Sequence, residues 1–374
     1  MSVPRIRVDG FNKNFENKIF GEIVRSVSTR MYIKSVVSDL GKYEVIQQGD
    51  TPILGYSDDQ PFEKYKSVIL FGDHTLSLYL PKAPFLLATD GIKILQSTIL
   101  KRDYLYYLTQ NYIPKSQGYK RHFSVLKQVI VNYSQDYSEQ SAIGSLFRAL
   151  DNLLTSYKEN LANYQSLKAT MLSKMFPKGG QAVPEIRLDG FEGEWESDAF
   201  ESYLTESRIL GDSGLDAKKI TVKLWGKGVV EKEEKYAGSS NTQYYIRKAG
   251  QFIYSKLDFQ NQAFGIVPTE LDGYQSTLDL PTFDVKGIDT KFLLEYVMRR
   301  EFYEYQGLIA NGSRKAKRIH PDDFLSMQVR IPSLAEQQAI GIYFSNLDQL
   351  ITSYQEKITQ FETLKKKLLQ DMFI

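Results

Sequence analysis

The chain of 374 residues contains no cysteine, which removes a disulfide frame, a thiolate nucleophile and a cysteine-ligated zinc site together. Histidine is nearly as scarce. His74, His122 and His320 are the only three, and none stands at the HExxH spacing that would hold zinc on one helix face. No GxxxxGK[ST] loop is present to cradle a nucleoside triphosphate, and no Asn-Pro-Pro or Asp-Pro-Pro motif of the amino-methyltransferase kind occurs. No apolar run approaches the roughly 18 residues of a membrane span, and the start lacks a signal-peptide pattern, so a cytoplasmic protein is expected. Charge of one sign is lacking too: 47 basic against 45 acidic residues leave a net charge of +2. A nucleic-acid surface, if present, must be local. Hydrophobic residues make up 42% and charged residues 25% of the chain, as in globular proteins of two or three domains.

What the chain does contain is a copy of itself. Glu139 to Phe176 (EQSAIGSLFRALDNLLTSYKENLANYQSLKATMLSKMF) and Glu336 to Phe373 (EQQAIGIYFSNLDQLITSYQEKITQFETLKKKLLQDMF) align without a gap. Such a match marks a long helix at a packed interface, because one inserted residue turns every later side chain by about 100°. Ile143, Phe147, Leu150, Leu154, Tyr157 and Leu161 alternate steps of four and three, and Ile340, Phe344, Leu347, Ile351, Tyr354 and Ile358 repeat them. This heptad seam predicts that the two helices pack on each other; two amphipathic helices in separate cores are the blander alternative. Asp136 and Ser333 each precede a Glu by three residues, the capping-box spacing. Lys365, Lys366 and Lys367 suit the C-terminal end of a helix dipole.

The repeat spans each whole half. The chain opens VPRIRVDGF (Val3 to Phe11), and VPEIRLDGF (Val183 to Phe191) follows the first long helix. The expected boundaries are a first domain over 1–135, a first spacer helix over 136–176, a linker over 177–182, a second domain over 183–332 and a second spacer helix over 333–374. Joining the C-terminus to the N-terminus would recreate the junction after the first helix. Strands are expected at Tyr43–Ile46, Ser67–Phe71, Phe85–Ala88 and Ile92–Leu95 with a helix at Arg102–Gln110. In the second half they are expected at Ile220–Leu224, Tyr244–Ile246, Phe252–Tyr254, Phe264–Val267 and Phe283–Val285, before a helix from about Asp289 to Tyr305. The fold class is α+β: two α/β domains in a pseudo-two-fold arrangement, separated by an antiparallel pair of long helices that form a coiled-coil spacer.

The positive chemical signal is a pair of basic loops in corresponding places. The first carries Lys115, Gln117, Tyr119, Lys120, Arg121 and His122; the second carries Asn311, Ser313, Arg314, Lys315, Lys317, Arg318 and His320. Each combines cations for phosphates with polar side chains able to meet base edges. One such loop is ordinarily solvated surface; two, each just upstream of a repeated helix, point to double-stranded DNA. Asp73 and His74 in FGDHT could form an acid–base pair, with a turn or DNA-facing role preferred. Asp216 followed by Glu233, Glu234 and Lys235 imitates the loose pattern of a metal-dependent nuclease, but a solvated charged face is the better reading of so mixed a segment. The 25 tyrosines are read as core and strand residues.

With these features the chain resembles the DNA-specificity subunits of type I restriction-modification systems. The resemblance covers nearly all of it: the two VPxIRxDGF openings, both long helices, VILFGDHT (Val68 to Thr75), FLLATDGIKIL (Phe85 to Leu95), QFIYSKLDFQNQAFGIVP (Gln251 to Pro268) and LDGYQSTLDLPTF (Leu271 to Phe283). It implies two target-recognition domains, each reading one half of a bipartite site, on a helical spacer that sets the gap. Two methyltransferase subunits would dock on helix faces outside the seam, near Tyr343, Ser345 and Arg148, and motor-nuclease subunits would complete the complex. S-adenosylmethionine, ATP and magnesium would belong to those partners; this chain would hold no cofactor, no metal and no catalytic residue. One departure from a closed circle is that nothing ahead of Met1-Ser2 mirrors the Pro177–Ala182 linker. The rival readings are a self-sufficient nuclease, distinguished by metal-dependent cutting by this chain alone, and a coiled-coil scaffold without sequence preference.

Overall fold

The computed structural model describes residues 4–34, 36–118, 120–214, 216–233, 239–309 and 318–373. The chain separates into two compact units, Met1–Glu159 with Gln355–Ile374, and Asn160–Tyr354. The division falls within both long helices rather than at their starts. Each unit therefore owns the first part of one helix and the last part of the other.

In the first unit a four-stranded antiparallel sheet runs in the order Arg25–Val27, Ile92–Gln96, Ile69–Gly72, Leu78–Tyr79. Its inner strand ILFG is buried at every position, as an unbroken apolar run of that length requires. Beside it lie a three-stranded sheet (Ile53–Ser57, Tyr43–Ile46, Phe85–Leu87) and the helix Arg102–Asn111, and Glu16–Ile19 pairs with Ile130–Tyr133. The second unit repeats the scheme. Leu204–Glu206, Thr282–Val285, Phe252–Tyr254 and Phe264–Ile266 form the four-stranded sheet; Leu210–Ser213, Gln243–Ile246 and Gln275–Ser276 form the three-stranded one; Glu196–Ala199 pairs with Gln328–Ile331. A hairpin, Ile220–Val222 with Val229–Glu231, is added. The helix expected from Asp289 to Tyr305 is two, Thr290–Met298 and Arg300–Gln306. It breaks at Arg299 (ψ 138°), whose buried guanidinium lies 4.1 Å from the Tyr296 ring centroid and 4.6 Å from that of Phe176.

The first long helix spans Tyr137–Lys174 and the second Leu334–Met372. Asp136 Oδ1 accepts the N–H groups of Ser138 and Glu139 at 2.8 and 3.3 Å, and Ser333 Oγ accepts that of Glu336 at 3.4 Å. The Glu carboxylates do not return to the caps as a capping box would have them. Arg7, from the first opening motif, meets Glu139 through Nε at 2.6 Å and Nη2 at 2.9 Å; Arg187, from the second, meets Glu336 at 2.8 and 2.6 Å. The neighbouring glutamine fastens the loop ahead of the domain's own helix: Gln140 Oε1 accepts Lys101 N–H at 2.7 Å, and Gln337 Oε1 accepts Asp289 N–H at 2.9 Å. The glycine that follows permits close approach, since a Cβ on Gly144 would lie 3.2 Å from the Tyr104 nitrogen, and one on Gly341 3.2 Å from that of Phe292. The repeated EQxAIG therefore encodes one joint, built twice.

Within each unit the helix segments are antiparallel. In the first, the rings of Tyr157 and Phe361 lie 5.4 Å apart, Lys158 bridges to Glu362 at 2.6 Å and Lys365 to Asp151 at 2.5 Å. In the second, the rings of Tyr164 and Tyr354 lie 5.3 Å apart, tilted by 46°, and Lys168 bridges to Asp348 at 2.7 Å. The seam changes character along its length. Ile143, Phe147, Ile340, Phe344 and Leu347 are buried in the unit cores, Leu154 is buried and Leu150 packs partly against its core. Tyr157, Leu161, Ile351, Tyr354 and Ile358 are half-buried, as two helices covering one side of each other allow.

The helix ends complete the cores. Met175 and Phe176 lie in the second unit with Trp195 and Phe292, and Met372 and Phe373 lie in the first with Tyr104 and Phe147. Ile186 N–H donates to Lys174 O at 2.9 Å, and Ile6 N–H donates to Asp371 O at 3.2 Å. The same backbone joint is thus made through a covalent linker in one unit and without one in the other.

Candidate nucleic-acid interface

The first basic loop leaves the helix Arg102–Asn111 and rejoins the fold at the turn after Ile69–Gly72. The joint is buried. Asp73 O accepts the His122 N–H at 2.8 Å, its carboxylate accepts the Phe123 N–H at 2.7 Å, and Lys93 Nζ stands 3.7 Å from the other carboxylate oxygen. His122 Nδ1 lies 3.0 Å from Asp73 O while Nε2 accepts the Gln117 N–H at 3.0 Å. With both ring nitrogens engaged and no exposed surface, His122 is not the group that meets base edges which the sequence suggested. It is the post around which the loop folds, and Asp73 is its anchor.

That anchoring presents the remaining residues outward. Lys115, Gln117, Lys120 and Arg121 are exposed, and Gly118 turns the backbone through φ +77°. Arg121 reaches the exposed Asp90 at 3.2 Å, a contact weakly held in water and free to be exchanged for a phosphate. Gln48 joins the site from another strand end: its Oε1 accepts the His74 N–H at 3.1 Å, and Gly49 N–H donates to Ser77 Oγ at 2.9 Å. Gln48 and Lys93 went unrecognised in the sequence. Only the adjacency of FGDHT and ATDGIK to strand ends could have pointed to them. Tyr119 lies outside the described residues.

Of the second loop, Asn311, Ser313, Arg314, Lys315 and Lys317 lie outside the described residues. Its exit matches that of the first. Ile319 N–H donates to Lys256 O at 3.1 Å, just past Phe252–Tyr254, as His122 N–H donates to Asp73 O just past Ile69–Gly72. Tyr254 Oη, buried, donates to Ile319 O at 3.1 Å. Arg318 is half-buried 4.0 Å from Asp279, and burial holds the Lys256 ammonium below the usual lysine range while Asp279 pulls the other way. His320 is exposed and takes part in a reciprocal cap of the helix Pro321–Leu325, its N–H reaching Asp323 Oδ2 at 3.3 Å.

Asp216 accepts from Ser213 Oγ at 3.2 Å, Glu233 is exposed, and Glu234 and Lys235 lie outside the described residues. Among the described residues no group of three or more His, Cys, Asp or Glu could hold a metal ion, and no helix is long and apolar enough to cross a membrane. Of the helix-face residues, Arg148 is paired with Asp103, Tyr343 packs partly against the second core, and Ser345 is half-buried.

No family model matches the chain, and no curated protein does. Solved structures do. The type I restriction-modification S subunit from M. genitalium is 13% identical, with 100% of this chain and 99% of that chain covered and a TM-score of 0.65. A chain from a structure describing complex assembly and conformational transition of the type I R-M system is 11% identical, with 96% and 97% covered and a TM-score of 0.51. The HsdS subunit from Thermoanaerobacter tengcongensis is 12% identical, with 96% and 95% covered and a TM-score of 0.44. The chain has the fold of type I restriction-modification S subunits over its whole length, α+β with two β-rich domains and two long helices in contact.

Proposed function

We propose that this chain is the sequence-specific DNA-binding subunit of a type I restriction-modification complex. Each recognition domain reads one half of a bipartite site, and the chain itself is non-catalytic. The observation that carries this is the duplicated loop exit: two basic loops that differ in sequence rejoin the fold at equivalent strand ends, each fixed by a backbone hydrogen bond. Equivalent roots carrying two different tips suit a protein that positions on phosphates and specifies by side chain. The helices set the gap between half-sites and carry the docking faces for two methyltransferase subunits, with motor-nuclease subunits added in the full complex. S-adenosylmethionine, ATP and magnesium belong to those partners.

The test is to map methylated bases in DNA modified by the assembled complex, then repeat with Lys120→Ala/Arg121→Ala and with Arg318→Ala. A bipartite site in which each variant relaxes a different half is expected. Equal relaxation of both halves by one variant refutes the assignment of one domain to one half-site. Metal-dependent cutting by the chain alone would favour a nuclease instead.

A further inference from the structure

We propose that the tip of the hairpin Ile220–Val222/Val229–Glu231 is a second DNA-contacting element of the second unit, with Trp225 laying its indole against a base or deoxyribose of the duplex. This rests on the DNA-binding reading above. The chain has two tryptophans, and they have opposite environments: Trp195 is 2% exposed and Trp225 57%. The whole tip, Lys223-Leu-Trp-Gly-Lys227, is exposed. Leu224 beside it is exposed as well, so the tip presents apolar surface between two lysines.

The backbone that carries the ring is held in place. Trp225 has φ +60°, a left-handed conformation that a bulky L residue keeps only when its surroundings impose it. Three hydrogen bonds impose it: Lys223 N–H closes the hairpin on Gly228 O at 2.9 Å, Trp225 N–H donates to Asn261 O at 2.8 Å and Gly226 N–H to Gln262 O at 3.0 Å. The platform, Phe259–Gln262, is itself left-handed at Gln262, with φ +54°. With the backbone already fixed, only the side-chain torsions of Trp225 remain to be ordered on binding, which favours affinity.

The platform also meets the described ends of the basic loop. Gly307, at the entrance of the loop, lies against Gln260, and Ile319, at its exit, donates to the carbonyl of Lys256. Both ends of the loop therefore touch the segment on which Trp225 stands. Lys223 and Lys227 flank the indole with positive charge. A duplex offers phosphate anions on either side of a groove, and between them the deoxyribose rings and base edges present surface that an indole can cover. The first unit carries no such hairpin among its described residues, so the contact belongs to one half-site.

The two tryptophans also supply the assay. Full-length chain and its Trp225→Phe variant are titrated with a duplex carrying the mapped site, and iodide quenching of the difference emission is followed. The expected result is an indole open to iodide in the free chain and shielded on DNA. In the assembled complex, Trp225→Ala weakens binding about 10-fold through the second half-site with the salt dependence unchanged, whereas Lys223→Ala and Lys227→Ala each flatten the salt slope by about one unit. The Trp225→Phe variant, with an unchanged circular dichroism spectrum, checks the fold. Undiminished iodide access on DNA, together with unchanged affinity of Trp225→Ala, overturns the inference. Loss of methyltransferase assembly with DNA affinity intact overturns it too, in favour of a protein contact. Wild-type chain and complex that bind no duplex sink the DNA reading itself, a distinguishable outcome.

Discussion

Replacing Arg187 by Ala removes a cation from one of the least hydrated places in the second unit. The Glu336 side chain is 2% exposed and that of Arg187 16%, and two parallel N–H to oxygen contacts at 2.8 and 2.6 Å join them. The same guanidinium donates to the carbonyls of Gly193 at 2.6 Å and Glu192 at 2.9 Å. Without it, a carboxylate stays buried beside a helix N-terminus with its strongest donor gone, and the chain segment ahead of Trp195 loses its tie to the helix. Breaking a buried pair from one side costs about 3–5 kcal/mol. For a domain of roughly 150–250 residues that lowers the melting temperature by about 6–20 °C. Differential scanning calorimetry on Arg187→Ala, Arg7→Ala and the double variant Arg187→Met/Glu336→Leu tests it. Each Ala variant should depress melting by that range, and the Met/Leu pair should regain most of the loss, since an apolar pair leaves no buried charge. A depression below about 2 °C in Arg187→Ala would show that Glu336 is not held by this contact, and the reading of the IRxDGF motif as a helix clamp would be wrong.

Three further outcomes are expected. Glu295 is buried and its carboxyl pushed up by burial, against the pull of Lys168, which also holds Asp348. A carboxyl raised on folding binds more protons in the folded state, so stability falls as pH climbs from the ordinary carboxylate range through the raised value. Glu295→Gln should therefore melt higher than wild type at neutral pH and no higher near pH 4; an advantage that grows on acidification contradicts this. Gly341→Ala puts a Cβ 2.8 Å from Asp289 Oδ1 and 2.9 Å from Lys291 Cβ, and overpacking of that kind should cost about 1–3 kcal/mol in urea unfolding. Inserting four residues after Tyr157 and after Tyr354 adds about 6 Å of rise and leaves the turn about 40° ahead. Methylation mapping should then find the same half-sites with a gap one or two base pairs longer, and an unshifted gap in a folded variant would show that the helices do not measure the site.

The repeat was readable because a long packed helix tolerates no insertion, and its register survives as text. The boundary between units was less so, since contacts place it at Glu159 and Asn160, inside a helix whose sequence shows no change there. Arg7 and Arg187 were passed over for the same reason that made Glu139 and Glu336 look like caps. Local spacing suggests a partner three residues away, while the true partner is in a motif at the far end of the domain. His122 misled in the other direction. An imidazole in a basic loop reads as exposed until Asp73 is brought to it by a sheet the sequence only outlines. The exposed lysines and arginines beside it need no tertiary partner and were legible directly.

Leu369, Met372 and Phe373 bear on how the first unit folds. Phe373 lies 5.2 Å from Tyr104 and 6.1 Å from Phe147, ring to ring, and Leu369 and Met372 share the same core. All three belong to the first unit. The later unit, Asn160–Tyr354, is a continuous stretch lying between the two parts of the first. The first unit therefore completes its aromatic core only when a segment that follows the whole second unit in sequence is brought to Tyr104 and Phe147. Its folding includes one encounter across that distance, which bears on the rate of folding more than on the stability reached.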